Sequence, residues 1–368
     1  MLANAAVLYE VNKPLVVEDV EVLEPGAHEV RVKWAANGVC HSDLHVMTGD
    51  YPHPLPVVLG HEAAGVVERV GPGVESVQAG DHVCSSYIPS CGRCWYCLSG
   101  LPTMCALRDK PRWFMLDGTP RFRKGGQGIH HFLQVSGYAT HSVLPEDSVI
   151  PIRKDAPLDL ACLVSCGVLA GAGPVFNRAK VPPGASVAVF GCGGVGLNTI
   201  QAARMVGAGK IIAVDVNAPE ARSGRRSSAP RTRWTHPRRT RSRASTPSAA
   251  WAASTSPSRS SAHRRRWSRR WPPPTAAACV WWSGVCPSGT RISVDPTMLL
   301  QQRVLTGTSF GGGHQRTDVP DLIDLYMSGK YQLKEMVSRR LPLVGAEPRL
   351  RPDEARRGQA QRDRLRVS

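Results

Sequence analysis

Four cysteines, Cys91, Cys94, Cys97 and Cys105, stand in the run C-G-R-C-W-Y-C-L-S-G-L-P-T-M-C. Two-residue gaps bring successive sulfurs around one point, and the longer last gap lets the chain loop back with the fourth. That is how four thiolates enclose a tetrahedral Zn²⁺. Such a site has no open position, so its metal is structural and the chemistry belongs elsewhere. Disulfides are the weaker reading, because the chain holds 11 cysteines, an odd number. Three further candidates for metal ligation are scattered: Cys40 in G-V-C-H-S-D, His61 in G-H-E and Cys166 in S-C-G. One imidazole and two thiolates would leave the fourth position of a Zn²⁺ open, the arrangement a catalytic metal needs. Spacing alone does not establish this set. Cys84, Cys162 and Cys192 lie in apolar runs and read as core residues.

These side chains need elements to hold them. Val30, Val32 and Trp34 alternate with Arg31 and Lys33, the period of a half-buried strand. Gly and Pro recur between positions 49 and 80, so the first part of the chain reads as short strands with many turns, a barrel or sandwich. Further on, Val187–Phe190 reads as an apolar strand, followed by Gly191, Gly193 and Gly196 in G-x-G-x-x-G and then Leu197, Ile200 and Ala203 at helical spacing. Strand, glycine turn and helix together form the dinucleotide-binding fingerprint. A second strand, Ile211–Val214, ends in Asp215, placed to bond a ribose 2′-hydroxyl and to repel a 2′-phosphate. NAD is therefore expected rather than NADP.

The net charge of +17 is confined to two segments. Residues 219–283 hold 15 Arg and one acid, and residues 344–368 hold 7 Arg and four acids. The remainder of the chain sums to zero and shows no basic stripe, which argues against nucleic acid as a partner. Segment 219–283 lacks Leu, Ile, Met, Phe and Tyr yet contains six of the nine Trp residues. It has no apolar period from which a packed face could be drawn. Three origins fit it: GC-rich coding sequence read out of frame, a natural basic linker, or a nucleic-acid-binding arm with interleaved Trp. The first is favoured, because ordinary sequence stops at Asn217 and resumes near Gly284. No apolar run is long enough to span a bilayer, and Met1–Leu15 lacks a basic start with a long apolar run. A cytoplasmic protein without a membrane partner is expected.

The segments G-V-C-H-S-D-L-H (38–45), G-H-E-A-A-G (60–65), the four-cysteine lobe, I-H-H-F-L (129–133), S-C-G-V (165–168) and T-S-F-G-G-G (308–313) resemble the zinc-dependent alcohol dehydrogenases of the medium-chain dehydrogenase/reductase family. The resemblance covers residues 1–218 and about 284–343. It implies an α/β protein, a β-rich GroES-like catalytic domain plus a doubly wound Rossmann domain. The boundaries expected are 1–165 for the catalytic domain with its zinc lobe at 91–105, 166–310 for the NAD-binding domain, 311–343 for a return to the first domain and 344–368 for an atypical tail. Within the Rossmann domain, 219–283 is not credible as folded sequence, so strands are expected to be missing from its middle.

By position, the resemblance implies Cys40, His61 and Cys166 as ligands of a catalytic zinc, two zinc ions per subunit, Glu62 beside the metal, and Asp43 accepting the other ring N–H of His61. The metal lowers the pKa of the substrate hydroxyl, and a hydride passes to NAD. Ser42 takes the proton and passes it along the cofactor ribose to His45, while His41 faces the cofactor pyrophosphate. The expected reaction is reversible oxidation of primary alcohols to aldehydes, by a homo-oligomer, dimer or tetramer. A thiol-dependent formaldehyde dehydrogenase is the nearest alternative, with the insert Leu107–Val135 setting the choice. An inactive zinc-binding protein with a basic nucleic-acid-binding segment is the alternative from another class. Tyr51, Leu55, Trp95, Leu116 and Phe310 are candidate pocket residues or ordinary packing.

Overall fold

The structure, a computed structural model, describes residues 1–215, 232–235, 249–254, 277–283, 291, 294, 296–300, 303–343 and 363–366. The chain divides into two compact units, Met1–Leu169 with His314–Ser368, and Ala170–Gly313.

In the first unit, β1 (Leu2–Leu8), β2 (Val16–Val22), β4 (Val57–Val58), β7 (Phe122–Lys124) and β8 (Gln127–His131) close a barrel in the order β1-β2-β7-β8-β4. A second sheet runs β10-β6-β5-β3-β18-β17, with β9 also paired to β3. Its strands are β3 (Glu29–Gly38), β5 (Glu62–Val70), β6 (His82–Ser85), β9 (His141–Pro145), β10 (Val149–Pro151), β17 (Arg339–Pro342) and β18 (Asp363–Arg366). Val30, Val32 and Trp34 on β3 are buried, as their alternation predicts. Arg31 departs from the pattern: it is buried too, because Glu68 and Glu24 take its guanidinium at 2.7 and 3.0 Å. Trp34 satisfies its indole N–H on Ser142 Oγ at 2.7 Å, which removes the penalty of burying that donor.

Two features of this sheet position the site. The antiparallel register sets Gly38, the last residue of β3, opposite Glu62, the first residue of β5. Cys40 follows just beyond one end of the pair and His61 just before the other, so one ladder rung brings two distant sequence motifs together. The short helix α1 (His41–Met47) then carries residues 41–47 away from that rung. β18, from the tail segment read as atypical, also pairs with β3, at Ala36–Gly38, and with β17. Residues 344–362 of the tail lie outside the described residues.

His131 in the barrel is buried, accepting the Arg121 backbone N–H at Nε2 (3.0 Å) and lying 3.3 Å from Ser136 Oγ at Nδ1. Burial, and next the Arg121 charge, press its pKa down to about 3. Its neutral form is built into the fold, so this stability is present above the ordinary imidazole value and is lost as pH falls from about 6.5 towards 3. At pH 5 the loss is about 2 kcal/mol relative to pH 7.5. Urea unfolding of the wild type and His131→Gln at both pH values should show a smaller pH-dependent loss in the variant.

The second unit is built on a six-stranded parallel sheet: β11 (Ser186–Phe190), β12 (Lys210–Val214), β13 (Thr232–Thr235), β14 (Ala249–Ser254), β15 (Ala277–Trp282) and β16 (Val304–Gly307). Its spatial order is β13-β12-β11-β14-β15-β16. This is the doubly wound dinucleotide-binding order. The expectation that the middle of this domain lacks strands is thereby corrected, since β13, β14 and β15 all fall within 219–283. The reason lies in burial. A parallel strand covered on both faces needs a continuous run of small or apolar residues and no alternation. Ala-Ala-Trp-Ala-Ala-Ser of β14 and Ala-Ala-Cys-Val-Trp-Trp of β15 are such runs, whereas Thr-Arg-Trp-Thr of β13 is not. Cys279, Val280 and Trp281 are buried. The links between these strands lie outside the described residues.

Candidate metal centre and catalytic site

The four lobe cysteines converge around the short helix α2 (Trp95–Leu98), which Cys94 precedes. Their sulfurs lie within 4.8 Å of one another, and none is disulfide-bonded. Cys94 Sγ and Cys105 Sγ are 3.9 Å apart. A tetrahedron with Zn–S bonds of about 2.3 Å has edges of about 3.8 Å, so the donor set fits the metal. The Cys94 backbone N–H donates to Cys91 Sγ at 3.4 Å. Backbone N–H groups of Ala106 and Cys97 hold the Cys94 thiol down to about 6, while burial pushes Cys105 up to about 12.

The second cluster is Cys40, His61, Glu62 and Cys166, with donor atoms again within 4.8 Å of one another. The β3–β5 rung supplies the first three. The fourth, Cys166, directly follows the helical turn Cys162–Ser165, which is docked on β5 by Ser165 Oγ, donating to Ala63 O at 3.0 Å. Ser85 Oγ secures the same strand, donating to His61 O and accepting from Ala63 N, both at 2.9 Å.

Asp43 organises the imidazole. It is buried, and its Oδ1 lies 3.2 Å from His61 Nδ1 and accepts the Gly60 N–H at 2.9 Å. Its Oδ2 accepts the Tyr138 hydroxyl and the Cys40 N–H, each at 3.2 Å. With Nδ1 held this way, Nε2 is the ring nitrogen left for the cluster. Gly60 has φ +90°, and a Cβ there would meet Tyr138 N at 2.5 Å, so only glycine lets the Asp43, His61 and Tyr138 segments close together.

The electrostatics show a pocket short of positive charge. A hydrogen bond from Cys166 holds the Cys40 thiol well below its ordinary value, whereas the same contact and burial push Cys166 well above. Burial, then the Cys40 charge, lifts Glu62 to about 8. Burial opposes the charged form of His61, but Asp43 and Cys40 outweigh it and raise its pKa. Two sulfurs, a ring nitrogen and a carboxylate buried together compete for protons, and a divalent cation removes that competition. The set therefore fits Zn²⁺. Glu62 lies directly against the Cα of Gly38, where a Cβ would come within 2.0 Å of Oε2. Asp43→Asn is expected to weaken zinc binding at this cluster 10–100-fold while sparing the lobe, as read by competition with a chromogenic chelator.

The other sequence candidates separate. Ser42 Oγ is 3.7 Å from Cys40 Sγ, next to the centre. His45 lies on the last turn of α1 with Nδ1 3.4 Å from Asp50 Oδ2, and His41 is exposed. Leu55 packs on the first unit's core, Tyr51, Trp95 and Leu116 are exposed, and Phe310 is buried in the second unit. The aromatic surroundings of His61 are residues the sequence reading passed over. Tyr87 and Phe132 meet its ring edge-on at 5.4 and 5.6 Å, and His53 bridges Phe132 and Trp113. The motif I-H-H-F-L already contained Phe132, but nothing local announced its neighbour.

In the second unit, Gly191 has φ +94° and turns the chain from β11 into the helix Gly194–Met205. Nothing lies within 4 Å of where a Cβ would stand on Gly193 or Gly194, and Gly196 is buried in the first turn. Asp215 Oδ2 accepts the Cys192 N–H at 2.6 Å, which fixes the carboxylate beside this loop. An open glycine turn at a helix N-terminus with a fixed acid fits a dinucleotide with a free 2′-hydroxyl. Among the described residues no single helix is long and apolar enough to cross a membrane.

Known proteins are similar to this chain in sequence and fold. Residues 26–154 match the alcohol dehydrogenase GroES-like domain. The chain is 39% identical over 363 residues to S-(hydroxymethyl)glutathione dehydrogenase of Paracoccus denitrificans, covering 93% of this chain and 94% of that one. An alcohol dehydrogenase zinc-binding domain protein from Burkholderia ambifaria superposes with TM-score 0.88 at 29% identity, over 100% of this chain and 99% of that one. Benzyl alcohol dehydrogenase from Acinetobacter calcoaceticus does so with TM-score 0.86 at 26% identity, over 100% of both. With two cysteine-rich clusters that fit zinc and a glycine turn that fits NAD, the chain belongs to the zinc-dependent, NAD-linked alcohol dehydrogenases of the medium-chain dehydrogenase/reductase family.

Proposed function

We propose that this protein oxidises primary alcohols to aldehydes, reversibly, with hydride transfer to NAD. The observation that carries the reading is the convergence of Cys40, His61 and Cys166 in one buried cluster, with His61 held from behind by Asp43. Zinc held at that cluster would supply the charge that lowers the pKa of a substrate hydroxyl, and bound NAD would supply the hydride acceptor. The chain does the rest. Cys40, His61 and Cys166 would hold the metal, and Glu62 would stand beside it as a neighbouring or transient ligand. Ser42, beside Cys40, accepts the hydroxyl proton, and His45 passes it towards solvent. Tyr87 and Phe132 exclude water around His61. Gly191, Gly193, Gly196 and Asp215 bind the dinucleotide, with His41 on its pyrophosphate. Cys91, Cys94, Cys97 and Cys105 hold a second, structural zinc. The same reading keeps a dimer or tetramer as the assembly and the cytoplasm as its setting.

A second substrate reading has its own support. The Paracoccus relative is named for the thiol adduct of formaldehyde. In this chain Arg112 is half-buried and donates to Tyr87 O, and among the described residues it makes no ion pair. Burial lowers its pKa, so an anion beside it is favoured. A carboxylate of a thiol adduct would meet that need. Steady-state rates with ethanol, longer and aromatic alcohols, and formaldehyde plus a low-molecular-weight thiol separate the two. A kcat/KM for the adduct at least tenfold above every simple alcohol selects the second reading. The reverse order selects the first, and no NADH from any of them overturns both.

A further inference from the structure

The turn that follows α1 places a carboxylate on His45. Thr48 caps the helix, Gly49 takes φ +73°, and the Tyr51 N–H returns to His45 O at 3.0 Å. The chain is thereby folded back so that Asp50 reaches the imidazole of the residue five positions earlier. Asp50 Oδ2 lies 3.4 Å from His45 Nδ1 and accepts the Thr48 hydroxyl at 2.8 Å. Thr48 Oγ1 is itself anchored to the helix end, 3.0 Å from Leu44 O. Side-chain exposures of 12% for His45 and 19% for Asp50 put the pair at the boundary between the interior and solvent.

We infer that Asp50 is a positioning residue for the proton relay: it holds the Nδ1–H of His45, fixes the ring's tautomer and orientation, and so keeps proton-accepting capacity at Nε2. An imidazole has two nitrogens and, when neutral, one proton, and the partner of one nitrogen decides the role of the other. A carboxylate accepts and never donates while ionised, so Asp50 selects the Nδ1–H form. The proton passed on from Ser42 is then taken up at Nε2, and the imidazolium formed is stabilised by Asp50 and by its place at the C-terminal end of α1. Asp50 takes no proton in the process. The sheet rung that assembles the metal ligands leaves this residue untouched, and it is the Thr48–Tyr51 turn that provides it. The inference rests on the proposed role of His45.

The test uses the zinc-loaded full chain. Long-range ¹H–¹⁵N spectra without NAD or substrate, assigned with His45→Gln, should show His45 as the Nδ1–H tautomer in the wild type and in Asp50→Glu, and as a mixture in Asp50→Ala. Both zinc ions must remain in each variant, which reports an intact fold. Asp50→Ala should lower kcat about tenfold with KM nearly constant, Asp50→Glu should recover most of that loss, and in a His45→Gln background Asp50→Ala should cost less than about twofold. An unchanged tautomer in Asp50→Ala, or an equal loss in the His45→Gln background, overturns the inference. Full activity in His45→Gln alone overturns the relay itself, and the assignment with it.

Discussion

Replacing Cys40 or Cys166 with serine is expected to cut alcohol-dependent NADH formation by about a thousandfold or more, while one of the two zinc ions stays bound. In the proposed function each thiolate would be one of three protein donors to the catalytic zinc, with the fourth position left for substrate. Serine at either place leaves a neutral hydroxyl in a buried cluster whose other members still compete for protons. The lobe is a separate four-sulfur set and is unaffected. Atomic-emission analysis should find close to one zinc per chain in the variants and two in the wild type, alongside the activity loss. Two zinc ions with undiminished activity in both variants would remove the basis of the proposed function.

The second large effect falls on the lobe. Cys105→Ala is expected to release the structural zinc and unfold residues 91–109 locally. This stretch has little apolar core of its own. Trp95, Leu98, Leu101 and Met104 are exposed, and its helical pieces, Trp95–Leu98, Pro102–Met104 and Ala106–Asp109, are one turn each. Segments this short do not persist alone. Structural zinc contributes roughly 10–16 kcal/mol of apparent binding free energy in small zinc-folded peptides, far more than these turns supply. Limited proteolysis should cut the variant within 91–109 and leave the wild type intact there. The melting temperature should fall, and the catalytic zinc should remain by metal analysis.

Local chemistry was legible in the sequence, and long-range pairing was not. Four cysteines within fifteen positions declare their own geometry, and so does a glycine turn flanked by a strand and a helix. The partnership of Cys40 with His61 depends on the Gly38–Glu62 rung, a register choice made by two strands 24 positions apart. Tyr138 reaches Asp43 from 95 positions away, and Ser165 reaches Ala63 from 102. No spacing rule encodes such contacts. Asp50 was near in sequence to His45, yet its role depends on a glycine with positive φ folding the chain back. The middle strands of the parallel sheet escaped detection for the opposite reason. The runs of β14 and β15 are local and visible, but they carry no two-residue alternation of apolar and polar residues.

The two cysteine clusters differ in how much chain each must close, and this sets an order of maturation. Cys91 and Cys105 are neighbours along the polypeptide, so the lobe can capture its ion on a nascent chain, soon after that stretch leaves the ribosome. The other centre joins Cys40 to Cys166, and loop closure over so many residues waits until the sheet between them has condensed. Zinc starvation during synthesis and zinc starvation afterwards should therefore leave different populations: chains misassembled at the lobe in the first case, and well-folded but idle enzyme in the second.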